Sequence, residues 1–136
     1  MQYDEFVGQV QHRARLASGG EAIRAIHATL ETLAERLYGG EADDLAAQLP
    51  REIQPYLQAV ASGKDFDLKE FYERVSSREE IDLPESIYHA RAVMSVVMDA
   101  VSAGEIQDIL AQLPEEYCPL FQWEEVKAAS TVNSEQ

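Results

Sequence analysis

Cysteine occurs once in this 136-residue chain, at Cys118, which excludes an internal disulfide framework. A lone thiol fits a reducing compartment, so the expected location is cytoplasmic. Basic side chains are also few. Eleven Lys and Arg stand against 25 Asp and Glu, a formal net charge of −14. The imbalance grows from −1 over residues 1–40 to −5 over 41–80 and −8 over 81–136. A chain this acidic repels nucleic-acid phosphates and anionic membrane surfaces, so neither nucleic acid nor membrane is an expected partner. The local basic grouping of His12, Arg13, Arg15 and Arg24 reads as a solvated helix face. Long apolar runs are missing too, and none approaches the roughly 18 residues of a membrane span. The first five residues lack the basic-then-apolar order of a secretory leader.

The signatures of a dedicated catalyst are equally scarce. A nucleophile needs a base beside it and a third group to orient that base. Cys118, between Tyr117 and Pro119, has no basic neighbour in sequence and reads as an inert structural thiol. No Glu-x-x-His occurs, which argues against a di-iron bundle. The acids of residues 65–70 lack the central glycine of a calcium-binding loop, and Asp43, Asp44, Asp99 and Asp108 read as a solvated face. Gly19-Gly20 and Gly39-Gly40 are isolated pairs, not a phosphate-cradling loop. The expectation is no catalytic residue, no metal site and no cofactor.

What the chain does contain is a repeat. Residues 41–58 (EADDLAAQLPREIQPYLQ) align with 105–122 (EIQDILAQLPEEYCPLFQ) at nine of eighteen positions. Average composition would give roughly one identity. The offset is 64, and Pro50 and Pro55 fall on Pro114 and Pro119. Upstream, Leu30, Leu33, Leu37 and Gly40 fall on Met94, Val97, Val101 and Gly104. After a one-residue gap, Tyr3, Phe6, Val7 and Val10 fall on Leu68, Phe71, Tyr72 and Val75. Repetition at a fixed period marks a duplicated structural unit.

Each unit has helical period throughout. Its first helix carries an apolar stripe at i, i+3, i+4 and i+7. Asp67-Leu68-Lys69-Glu70 caps the second copy of that helix, with its N-cap acid and a glutamate three residues on. The second helix opens at Ser18-Gly19-Gly20-Glu21 in one unit and Asp82-Leu83-Pro84-Glu85 in the other. Gly39-Gly40 and Gly104 are expected to end these helices. A short third helix stops before Pro50 or Pro114, because the residue before proline leaves the helical region. One further turn is expected to start at each of those prolines and halt before Pro55 or Pro119. The fold expected is all-α: a six-helix bundle of two tandem three-helix repeats related by a pseudo-two-fold. Repeat one covers 1–61 and repeat two 65–123, together one domain, since about 65 residues alone bury too little surface. Residues 124–136 read as a polar, frayed tail.

The apolar stripe, the Gly-Glu step and the Gln-Leu-Pro segments (Leu37, Gly40, Glu41, residues 45–50, with Val101, Gly104, Glu105, residues 109–114) resemble the bacterial domain of unknown function 2267 family. The resemblance implies a small, soluble helical protein and carries over no functional residue.

Two sets of side chains remain as candidates. Tyr38, Tyr56, Phe121 and Trp123 flank helix ends and proline turns; they close the core or, where exposed, form a contact patch. His27 borders an apolar stripe, and neither it nor His89 is repeated by the duplication. Each either reaches water or a carbonyl, or lies near a ligand. The expected function is a non-enzymatic protein–protein interaction or regulatory module, with an unidentified protein partner or self-association. The alternative is an enzyme or small-ligand binder with its site between the two repeats.

Overall fold

In a computed structural model, which describes residues 1–123, the chain is all-helical. The helices are α1 (Tyr3–Arg13), α2 (Gly19–Arg36), α3 (Glu41–Ala46), α4 (Gln54–Gln58), α5 (Leu68–Glu79), α6 (Leu83–Ala100) and α7 (Ala103–Gln112). A 3-10 helix, Glu115–Phe121, follows α7. The polar segment 124–136, expected to fray, lies outside the described residues.

The start signals work as side-chain chemistry requires. Ser18, Asp67 and Asp82 each accept a hydrogen bond from the amide three residues on, at Glu21, Glu70 and Glu85. Glu21 also reaches back, accepting from the Ala17 amide at 3.2 Å. Ser102 caps α7 in the same way. That cap, a serine three residues before Glu105, is legible in the sequence once sought.

Helix α2 is the hub: it packs on α1, α4, α5 and α6. In turn, α6 packs on α1, α5 and the 3-10 helix, while α3 meets α4 and α7. Phe6, Val10, Leu30, Leu33, Phe71, Val75, Met94 and Val97, all on the expected stripes, join one fully buried core cluster. Each such side chain contributes roughly 1.5–3 kcal/mol through burial. The basic grouping near the N-terminus is less solvated than expected. Arg13 donates to Ser95 at 2.9 Å and to Asp99 at 2.6 Å, joining α1 to α6.

Two local expectations need correction. Gly104 does not end a helix: α6 finishes at Ala100, and Gly104 lies in the first turn of α7. Nor do the prolines halt the short turns. Pro55 sits within the first turn of α4, where its missing N–H has no acceptor to serve. Pro119 lies inside the 3-10 helix and opens a fresh turn by accepting from the Gln122 amide, a place where no donor is needed.

The segment expected to link the units, residues 60–65, is tied to the end of α2. The Gly63 amide donates to Leu37 O at 2.7 Å and the Lys64 amide to Glu35 O at 2.8 Å. Both use carbonyls left over at a helix end. Beside it, the buried Tyr117 hydroxyl and Arg36 Nε both donate to Phe66 O, at 2.6 and 2.8 Å. Burial pushes the Tyr117 phenol up to about 12, against the pull of Arg36.

Candidate functional site at the α3–α7 seam

Where α3 meets α7, two carboxylates leave water. Glu41, the first residue of α3, is 8% exposed, and Glu105, in the first turn of α7, is 6% exposed. Each lies four residues before a fully buried side chain, Leu45 or Ile109, so each is on the apolar face of its helix. Helical geometry therefore takes both into the seam.

One carboxylate oxygen from each of Glu41, Glu105 and Asp108 lies within 4.8 Å of the others. Oε2 of Glu41 and Oε2 of Glu105 are buried and have no hydrogen-bond partner. Buried polar atoms are nearly always paired, so two orphaned oxygens in one cluster require an explanation. Burial, and then the Glu41 carboxyl within hydrogen-bond reach, push Glu105 up to about 8, with Asp44 and Asp108 adding like charge. Two full charges within 4.8 Å of each other repel by about 3 kcal/mol or more at an effective dielectric near 20.

Side chains from each half brace this seam. Gln112 of α7 donates from Nε2 to Tyr38 O at 2.9 Å and accepts from the Tyr38 amide at 3.0 Å. Gln48, which aligns with Gln112 in the sequence, accepts from the Ser102 amide at 2.8 Å. The cluster is therefore held from both sides by bonds to backbone, which favours a fixed geometry.

The histidines lie elsewhere. His27 is solvent-facing, with Nε2 2.9 Å from Glu31 Oε2 and its ring stacked on Tyr56, centroids 4.3 Å apart. His89 is buried, with Nδ1 2.5 Å from Glu79 Oε2. Both tips thus meet a carboxylate and not a carbonyl. They line separate recesses, with Arg24 bordering both. Among the described residues, no hydroxyl or thiol is hydrogen-bonded to either ring.

The aromatic candidates disperse. Tyr38 is exposed beside the seam, and Tyr56 is half-buried over His27. Phe121 and Trp123 share a recess with Arg13, Ser95, Met98 and Asp99, and Trp123 packs against Tyr88. Cys118 is exposed. Asp43, Asp44, Asp99 and Asp108 are all exposed, as expected of a solvated face.

Sequence reasoning missed Glu41 and Glu105 by treating carboxylates as surface. The signal was available: an acid recurs at one register of the repeat, four residues before an apolar stripe residue.

The chain belongs to the family described as "Uncharacterized conserved protein (DUF2267)", which matches residues 3–120. No curated protein matches it. Among the described residues, no helix is long and apolar enough to cross a membrane.

Proposed function

We propose that this member of the family is a non-enzymatic cytoplasmic regulatory module, in which a small ligand held between two tandem three-helix repeats governs contact with a protein partner or a second copy. One observation carries the reading. Glu41 and Glu105, at equivalent positions of the aligned segments, converge across one seam with an unpaired buried oxygen each. A fold under selection for stability alone would place apolar or paired side chains there, since an uncompensated buried charge is strongly destabilising. Functional sites are where such costs are retained. The duplication in the sequence supports the repeat reading, with residues 1–123 as one domain and a pseudo-two-fold through the seam.

Tyr38 supplies the interaction side of the reading. The residue is 52% exposed, while its backbone is gripped by Gln112 from the other half. A change in seam spacing therefore reaches a surface aromatic directly.

The test is the stability of the full chain with Glu41→Gln and Glu105→Gln together, by urea denaturation at pH 8.5. The expected result is a gain of roughly 1–3 kcal/mol, since neutral replacements of buried charge are often stabilising. A loss would make the two carboxylates structural supports and overturn the reading.

A further inference from the structure

We propose that the seam is a binding site for one hard divalent cation, held by Glu41, Glu105 and Asp108 and clamping α3 to α7. This rests on the reading of the seam as a ligand site and names its ligand class.

Three features of the donor set point to that chemistry. The ligand atoms are all carboxylate oxygens, and oxygen-only sets select Ca²⁺, Mg²⁺ or Mn²⁺ over metals that favour nitrogen or sulfur. Their spacing fits a shared ion. Donors on opposite sides of one cation stand twice the metal–oxygen distance apart, about 4.6–5.2 Å for Ca²⁺. The three oxygens here lie within 4.8 Å of one another. The charge is also right, because a divalent ion neutralises the mutual repulsion that the bare cluster leaves uncompensated.

The orphaned oxygens are the independent observation. Glu41 and Glu105 are more than nine-tenths buried, and Oε2 of each is buried with no protein donor hydrogen-bonded to it. Acidic surface clusters do not do this; their carboxylates stay in solvent. Asp108, exposed on the next turn of α7, completes the set from the solvent side and leaves room for the ion's remaining water ligands. Because Glu41 and Glu105 lie on different helices, 64 residues apart in the chain, an ion between them binds the folded arrangement and stabilises it.

The experiment is calorimetric titration of the metal-free full chain in about 150 mM KCl, where nonspecific surface attraction is screened beyond about 8 Å. CaCl₂, MnCl₂ and MgCl₂ are each added alone. We expect saturable binding of about one ion per chain, with Kd near 10⁻⁴–10⁻³ M for so few carboxylates. Glu105→Gln is expected to weaken it by about tenfold or more. With Mn²⁺, paramagnetic broadening should first reach amides around Glu41 and Glu105. Absence of saturable binding of all three ions up to about 5 mM would overturn the cation site. So would equal affinity in the parent and Glu105→Gln, or broadening spread evenly over the acidic surface. These outcomes are separate from the urea experiment. If the double glutamine variant is stabilised but the parent chain binds no cation, the ion is removed and the seam stands as a ligand site; a destabilised variant removes the seam reading itself.

Discussion

Gln112 and Tyr38 lie 74 residues apart and exchange two hydrogen bonds, the side-chain amide serving both the N–H and the C=O of one backbone residue. Tyr38 follows the end of α2, where helical backbone groups run out of partners. The other half of the chain supplies them. The same bonds fix the approach of α3 to α7, and so the separation of Glu41 from Glu105.

Gln112→Ala removes both bonds while deleting little apolar contact. The expected loss is about 1–2 kcal/mol of stability. Hydrogen exchange at the Tyr38 amide should accelerate by about tenfold through local opening, with amides in the middle of α6 changing only as global stability does. Unchanged exchange at Tyr38 would show that the bridge contributes nothing to the seam.

Glu35 is expected to contribute to the acid limb of stability. Its side chain is nearly buried on α2. It accepts from Arg78 Nη1 and Nη2, each at 2.8 Å, and from Arg74 Nη1 at 3.0 Å. Lys64 Nζ stands 3.5 Å away, and Arg78 also meets Glu31 at 3.2 Å. The Arg78 hydrogen bond leads in lowering the Glu35 carboxyl to about 2, with burial opposing it and Arg74 adding to it. A folded-state value below the unfolded one means the stabilisation is complete above about pH 4.5 and is lost as pH falls towards 2. The span corresponds to a contribution on the order of 3 kcal/mol. Urea midpoints measured from pH 6 to pH 2.5 should fall more steeply for the parent than for Glu35→Gln. Parallel curves would refute the assignment. At neutral pH, Glu35→Gln should itself be destabilised, because two guanidinium groups lose their shared counter-charge.

Gly40 and Gly104 align in sequence, yet alanine should act on them in opposite directions. Gly40 has φ +83°, a left-handed conformation that an L side chain enters at about 1–2 kcal/mol. Gly104 lies within α7, and a Cβ there meets only Ser102 Oγ, at 4.0 Å. Gly40→Ala should therefore lower the thermal midpoint. Gly104→Ala should raise it, by about 0.5–1 kcal/mol of added helix stability. Equal effects at the two sites would mean that the glycines share one conformational role.

The local half of this structure was legible in the residues. The stripes of α1, α2, α5 and α6, the caps at Ser18, Asp67 and Asp82, and the all-helical class follow from period and side-chain reach within a few positions. Those are short-range rules, acting between residues one turn apart. The turns were less legible. Gly104 and Pro119 occupy places that their types permit but do not dictate, because α7 could begin either side of Gly104 and a 3-10 turn admits proline at its opening residue.

Pairing across the fold was decided by packing alone. That His89 meets Glu79, that Glu35 gathers Arg74 and Arg78, and that Gln112 grips Tyr38 depend on which helix faces which. The seam shows the division most plainly. The sequence by itself determined that an acid lies on the apolar face at Glu41 and again at Glu105, four residues before a buried Leu or Ile. Only the tertiary structure decided that these acids face each other, because α3 packs on α7 and brings two points 64 residues apart into one dehydrated cluster. Periodicity shows which side of a helix is buried; it carries no information about what that side is buried against.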